Sequence, residues 1–262
     1  GVLPVFIITE QKWDFPHAKL MGLDLDETVD EETGEIEYDG FFLFNNEFQY
    51  IEQITDYINE LIDAQKKGEL EYDLLFLWDS VGSVPCKMTF DGKGGKQHNA
   101  STLADKIGMG INQRISGSRR VDSEFTNTLV IVNQPWVELP DNPFSQPKIK
   151  AKGGESIWLN SSLVFLFGNQ KNAGTTTISA VKNKRKVKFA SRTKISVMKN
   201  HINGLGYADG KIIVTPHGFL AGKESSEEKK SIEKYKGEQS EYWKEVIGVE
   251  GDFKLEEEKQ EV

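Results

Sequence analysis

Residues 72–80 read Tyr-Asp-Leu-Leu-Phe-Leu-Trp-Asp-Ser, a continuous apolar run that stops abruptly at two polar residues. A short apolar run without polar alternation is typical of a strand that is covered on both faces, as in a parallel sheet. Residues 5–9 and 128–132 have the same character, and residues 47–67 have the apolar spacing of a helix. We therefore predict an α/β fold whose mostly parallel central sheet carries helices on both faces.

The rest of the chain adds shorter elements around this sheet. Apolar runs predict further strands, the later ones partly antiparallel, at residues 41–44, 162–167, 182–188, 193–199 and 211–215. Short helices are expected at residues 17–21 and 101–115, an exposed loop or hairpin at 24–39, and a segment without regular period at 135–154. From residue 223 onward, 13 acidic residues against eight lysines predict a helix followed by a frayed tail. The expected domains are a core over residues 1–222 and an acidic helical tail over residues 223–262.

The overall composition favours a globular protein in a reducing compartment. The 262 residues are 37% hydrophobic and 28% charged, and no apolar run approaches the ~20 residues that span a bilayer. Cys86 is the single cysteine, so no internal disulfide can form, and a cytoplasmic location without membrane contact is expected.

The charge pattern bears on nucleic-acid binding. A net charge of −9 spread evenly over the chain would argue against nucleic-acid binding, but acidic and basic residues are concentrated in different segments. Residues 22–40 hold nine acids and no base, and residues 182–199 hold eight bases and no acid. Such separation allows a locally basic surface on an acidic protein.

Polar side chains follow the three predicted core strands. Glu10 follows the first, Asp79 and Ser80 the second, and Gln134 the third. Because ligands of open α/β sheets bind at the carboxyl ends of the strands, we expect these side chains at one edge. A carboxylate there can hold a water or Mg²⁺ beside a nucleotide. The alternative is that each is only a strand-end cap.

The ordered set of motifs resembles the RecA-type ATPase core, and most closely bacterial RecA and the phage recombinases. The three strand-end motifs occur in the family's order over roughly residues 4–220. Lys152-Gly153-Gly154 resembles the paired glycines that close the family's second DNA-binding loop. Met198-Lys199-Asn200 resembles its basic strand motif, which reaches the nucleotide of a neighbouring subunit.

The resemblance implies ATP and Mg²⁺ as cofactors and a role for each motif residue. Glu10 would orient or deprotonate the attacking water, and Asp79, supported by Ser80, would hold Mg²⁺ through water. Gln134 would sense the γ-phosphate. Lys199, and His201 where the family usually has a second lysine, would contact the nucleotide across a subunit interface in a filament or ring.

The resemblance also implies single-stranded DNA as a partner, bound by two loops. The first would be residues 90–99 and the second residues 135–154. DNA binding requires cations and stacking groups, and the loops supply both. The expected DNA-binding residues are Lys93, Lys96, Trp136, Lys148, Lys150, Lys152, Gly153 and Gly154.

One motif of the family is missing from this sequence. The P-loop, G-x-x-x-x-G-K-S/T, should precede the first strand and occurs nowhere in the 262 residues. Because the chain begins with Gly and almost directly in a buried strand, we expect a preceding segment that carries the P-loop. The 262 residues alone should then be inactive. The alternatives are a RecA-like helicase, a RadA-type repair ATPase, or a P-loop-less assembly module without catalysis.

Overall fold

The computed structural model describes residues 1–117, 124–138, 148–152, 155–168, 175–182, 185–221 and 225–239. The chain forms two compact units. The first comprises Gly1–Phe15 and Asp24–Ser161, and the second comprises Pro16–Leu23 and Ser162–Val262. The predicted boundary between residues 222 and 223 stays a prediction.

The elements are named in chain order. The strands are β1 (Val2–Ile8), β2 (Asp26–Val29), β3 (Ile36–Asp39), β4 (Leu43–Asn45), β5 (Asp73–Val81), β6 (Thr128–Asn133), β7 (Pro135–Glu138), β8 (Lys148–Ala151), β9 (Leu163–Phe167), β10 (Thr175–Lys182), β11 (Arg185–Asn200), β12 (Gly210–Thr215) and β13 (Gly218–Ala221). The helices are α1 (Phe15–Leu20), α2 (Ile51–Lys66), α3 (Lys87–Phe90), α4 (Lys96–Leu103), α5 (Asn112–Gly117), α6 (Glu155–Asn160) and α7 (Ser225–Glu238). A π-helical segment, Ala104–Ile111, joins α4 to α5.

The central sheet of the first unit contains four parallel strands in the order β4-β1-β5-β6. The predicted α/β class and parallel sheet are therefore confirmed. One face of the sheet packs against α2, the π-helical segment and α6. Alternate residues of β1 and β5 supply this face: Leu3, Val5, Ile7, Leu74, Phe76 and Trp78.

The opposite face of the sheet is less completely buried. Phe6 packs there against the rings of Trp13 and Phe42, with centroids 5.0 and 5.8 Å away. Val130 and Val132 of β6 are 44% and 48% exposed. Burial therefore alternates along β1 and β5, although their apolar runs are continuous in sequence. The expectation of helices on both faces stays a prediction.

A buried pair of amide side chains joins α2 to the sheet. Gln65 and Asn127 bond to each other in both directions, at 2.9 and 2.7 Å. Asn127 Oδ1 also accepts a bond from the backbone N–H of Leu74 at 3.0 Å. The pair therefore satisfies polar groups of three elements inside the core.

The π-helical segment packs closely on α6. A side chain at Gly108 would place its Cβ 2.8 Å from Ser156 Oγ and from Asn160 Nδ2. Ser156 Oγ in turn donates to the carbonyl of Ala104 at 3.2 Å. Ile107 and Ile111 of the segment are buried in the core. The absence of a side chain at Gly108 thus permits the contact.

The second unit is built on antiparallel strands in the order β10-β11-β12-β13, with β9 also pairing with β11. The predicted strands at residues 182–188 and 193–199 fall largely within one strand, β11, which is 16 residues long, while Lys182 ends β10. The pairing of β10 with β11 shifts register between Ile178 and Ser179. In the part of the chain that the structure describes, no helix combines the length and apolar character needed to cross a membrane.

His217 joins α7 to the rest of the second unit, and this contact should depend on pH. His217 Nδ1 lies 2.8 Å from the hydroxyl of buried Tyr235 on α7. Burial, together with the charge of His17, lowers the pKa of His217 below 6.5. The folded state therefore favours neutral His217, so its contribution is present above about pH 6.5 and is lost as the pH falls toward the lowered pKa.

We expect amide hydrogen exchange, corrected for its intrinsic pH dependence, to show weaker protection of α7 at pH 5.5 than at pH 7.5. The His217→Gln variant, which does not titrate, should lose this pH dependence. Equal pH dependence in the two proteins would contradict the prediction.

Candidate functional site

The three core strands end side by side at one edge of the sheet. In the register of the parallel strands, Ile8 lies beside Asp79, and Asp79 lies beside Val132. The residues that follow each strand therefore meet at this edge. The pairing of β5 with β6 shifts by one residue between Asp79 and Val81, and the Asp79–Ser80 peptide bond is cis.

Glu10 is the centre of a hydrogen-bonded cluster at this edge. Its Oε1 accepts bonds from Ser80 Oγ at 2.6 Å, Gln134 Nε2 at 3.2 Å and Ser83 Oγ at 3.3 Å. Its Oε2 pairs with Lys12 Nζ at 3.1 Å. The structure thus brings together three of the predicted site residues, Glu10, Ser80 and Gln134.

Asp79 provides a second carboxylate at the same edge. Partial burial and the negative charge of Glu10 both raise the pKa of Asp79. The bonds from Ser80 and Lys12 lower the pKa of Glu10. The negative charge of Glu10 thus disfavours ionisation of Asp79, and a cation bound beside the two carboxylates would relieve this repulsion.

Thr9 fixes the geometry of these strand ends, a role that none of the sequence motifs assigned to it. Its Oγ1 donates to the carbonyl of Ser80 at 2.8 Å and accepts from the N–H of Ser80 at 3.0 Å. Its backbone N–H donates to the carbonyl of Asp79 at 2.8 Å. Thr9 therefore positions Asp79 and Ser80 relative to its neighbour Glu10. The available sequence signal for Thr9 was its position directly before Glu10 at the end of a predicted strand.

The predicted second DNA loop begins directly after the site. Its two ends pair as the antiparallel strands β7 and β8, with Trp136 opposite Lys150 and Glu138 opposite Lys148. The sequence suggested no regular structure here, because the pairing joins residues that are distant along the chain. Residues 139–147, together with Gly153 and Gly154, lie outside the described residues.

The predicted first DNA loop is a short turn between two helices. Residues 91–95 connect α3 to α4, and Lys96 begins α4. The N–H of Lys93 donates to the carbonyl of Met88 at 2.9 Å, and the N–H of Gly95 donates to His98 Nδ1 at 3.2 Å. Lys93 is exposed. The turn of residues 91–95 is thus shorter than the predicted loop of residues 90–99.

The two predicted nucleotide contacts from the basic strand lie in the second unit. Lys199 is on β11, and the backbone N–H of His201 donates to the carbonyl of Ser162 at 2.8 Å. The Glu10 cluster belongs to the first unit, and the nucleotide contacts of Lys199 and His201 stay a prediction.

The donor set fits part of a Mg²⁺–nucleotide complex. Within the described ranges, no three His, Cys, Asp or Glu side chains form a metal-binding group. Two carboxylates with neighbouring hydroxyls suit Mg²⁺, which usually keeps several waters and takes further oxygens from phosphates. The phosphate cradle of a P-loop is not among the 262 residues.

No protein-family model matches the chain, and no curated protein matches it.

Proposed function

We propose that the complete protein is an ATP-dependent, single-stranded DNA-binding recombinase of the RecA type, which acts in DNA repair as a cytoplasmic filament. The observation that carries this proposal is the Glu10 cluster, in which side chains from the ends of three adjacent parallel strands converge. Open α/β sheets bind ligands at such an edge. The order of the three motifs along the chain is the order of that family.

The proposed roles follow from the chemistry of the cluster. Glu10 would orient the attacking water, because its carboxylate is held by Ser80 and Gln134. Asp79 would hold Mg²⁺ through water. Bound Mg²⁺ would neutralise charge that develops on the phosphates. Gln134 begins the second loop, so a change at its amide can reach β7 directly.

The open edge of the sheet supports a further strand that carries the P-loop. Among the described residues, β6 pairs only with β5 and ends the sheet. Its Val130 and Val132 are largely exposed. An added strand would pair with the outer side of β6. If it runs parallel to β6, the P-loop that follows it would lie beside Glu10, at the carboxyl ends of the strands. The 262 residues without that strand are expected not to hydrolyse ATP.

A second candidate is a binding or assembly module without catalysis. The lack of a P-loop in the 262 residues favours it. It differs from the first candidate in one measurable property, which is DNA-stimulated release of phosphate from ATP by the protein expressed from its complete coding sequence. A RecA-like helicase or a RadA-type ATPase would also hydrolyse ATP, but only a recombinase would exchange strands between homologous DNA molecules.

The DNA-binding part of the proposal is tested by the salt dependence of affinity. In the complete protein, the double substitution Lys148→Ala and Lys150→Ala should weaken single-stranded DNA binding. Each lost phosphate contact should lower the slope of log affinity against log salt by roughly 0.7. The matched control is Lys66→Ala and Lys67→Ala at the end of α2. Equal slopes in the loop variant and the wild type would exclude these lysines from the DNA path.

A further inference from the structure

Lys152 lies at the base of the β7–β8 hairpin, where its backbone is fixed to the end of β6. The N–H of Lys152 donates to Asn133 Oδ1 at 3.1 Å, and Asn133 Nδ2 donates to the carbonyl of Lys152 at 2.8 Å. The Asn133 side chain thus pairs with Lys152 as a neighbouring strand would. It continues the ladder one step beyond the pair of Pro135 with Ala151.

The stem of Lys152 crosses the backbone of Gly82, just beyond β5. A Cβ at Gly82 would lie 2.7 Å from Lys152 Cδ and 3.3 Å from its Cβ. Gly82 also has a φ of +89°, which favours glycine. A bare backbone at this position therefore lets the lysine stem run toward the carboxylate edge.

The ammonium of Lys152 ends at the Glu10 cluster. Its Nζ lies 3.4 Å from Gln134 Oε1, and Gln134 Nε2 donates to Glu10. A bond of 3.4 Å to a neutral acceptor is weak, whereas a phosphate oxygen forms shorter and stronger bonds with an ammonium. An ammonium has three donors, so Lys152 can contact a phosphate there without leaving the hairpin.

We propose that Lys152 binds a phosphate of the nucleotide at the Glu10–Asp79 edge and thereby ties the base of the β7–β8 hairpin to that nucleotide. This inference rests on the proposed function and gives Lys152 a ligand other than DNA. Because two bonds fix the backbone of Lys152 to Asn133, a phosphate bound to the ammonium restrains the hairpin itself. Nucleotide binding then restrains β8, the strand that carries Lys148 and Lys150.

The test measures nucleotide and DNA binding separately in the complete protein. The probe is a non-hydrolysable ATP analogue with Mg²⁺, titrated without DNA into the wild type, Lys152→Gln, Lys152→Arg and Lys66→Gln. We expect Lys152→Gln to weaken analogue binding by about 10- to 100-fold, the loss of one charge-assisted bond. Lys152→Arg should retain most of the affinity, and Lys66→Gln, an exposed position at the end of α2, should bind the analogue as the wild type does.

Two further measurements separate this role from a DNA contact. The analogue should increase hydrogen-exchange protection of residues 148–151 in the wild type but not in Lys152→Gln. Without nucleotide, the salt slope of DNA binding should fall by roughly 0.7 in Lys150→Gln and stay unchanged in Lys152→Gln.

The outcomes distinguish this inference from the proposed function. If Lys152→Gln binds the analogue as tightly as the wild type while Asp79→Ala does not, Lys152 is no nucleotide ligand and the proposed function stands. A reduced DNA salt slope in Lys152→Gln with unchanged analogue affinity would assign Lys152 to DNA instead. If the wild type itself does not bind the analogue, the proposed function fails, and the role of Lys152 fails with it.

Discussion

The Glu10→Gln variant of the complete protein is expected to hydrolyse ATP about 10²- to 10⁴-fold more slowly than the wild type. Glutamine has the shape of glutamate, so its Oε1 can still accept bonds from Ser80 and Gln134. Glutamine cannot take a proton from water, and it orients a water molecule less strongly than glutamate does. The substitution should therefore remove the chemistry while the cluster remains assembled. Single-turnover phosphate release measures the rate of the chemical step, and the equilibrium affinity for the ATP analogue measures binding separately.

The matched control is Glu60→Gln, which removes the same charge from an exposed position of α2. It should leave both hydrolysis and affinity unchanged. If Glu10→Gln hydrolyses ATP at the rate of the control, Glu10 does not act on the water. If affinity falls as much as the rate, Glu10 contributes to binding rather than to the chemical step.

The second large effect concerns stability. Asn127→Ala is expected to lower the free energy of unfolding by about 3–5 kcal/mol, because it leaves buried groups of Gln65 and Leu74 without partners, each costing about 1–3 kcal/mol. Asn127 is 1% exposed, so water cannot replace the lost bonds. Urea unfolding of the 262-residue chain, followed by tryptophan fluorescence, measures the loss.

The exposed Asn46→Ala serves as the control and should change stability by no more than about 0.5 kcal/mol. A double-mutant cycle with Gln65→Ala adds a sharper test. Because the two amides bond to each other, the double variant should lose less stability than the sum of the single variants. Additive losses would mean that the pair does not act as a unit.

The sequence predicted the elements whose signals are local. The continuous apolar runs of β1, β5 and β6 specified parallel strands, and the polar residues after them indicated which edge to consider. The acidic run around the turn at Asp30 suggested a hairpin, and β2 and β3 form one there. In these cases the pattern and the structure depend on the same short segment.

Other features depend on contacts between distant segments, and the sequence did not reveal them. The pairing of β7 with β8 joins residues that a long proline-containing segment separates. The roles of Thr9 and Ser83 become visible only when the strand ends meet. The uneven burial of the two faces of β5 depends on which neighbours cover them, because its side chains are apolar on both faces.

The π-helical segment has a consequence for insertions and deletions. A π-helix closes its hydrogen bonds over one residue more than an α-helix does. Deleting one residue from Ala104–Ile111 would therefore let an ordinary α-helix cover nearly the same rotation with one residue fewer. Ile111 and Ile115, which are 0% and 5% exposed, would then keep their places in the core. A one-residue deletion should thus disturb the core less here than in α2, where the same change would turn the following residues by about 100°.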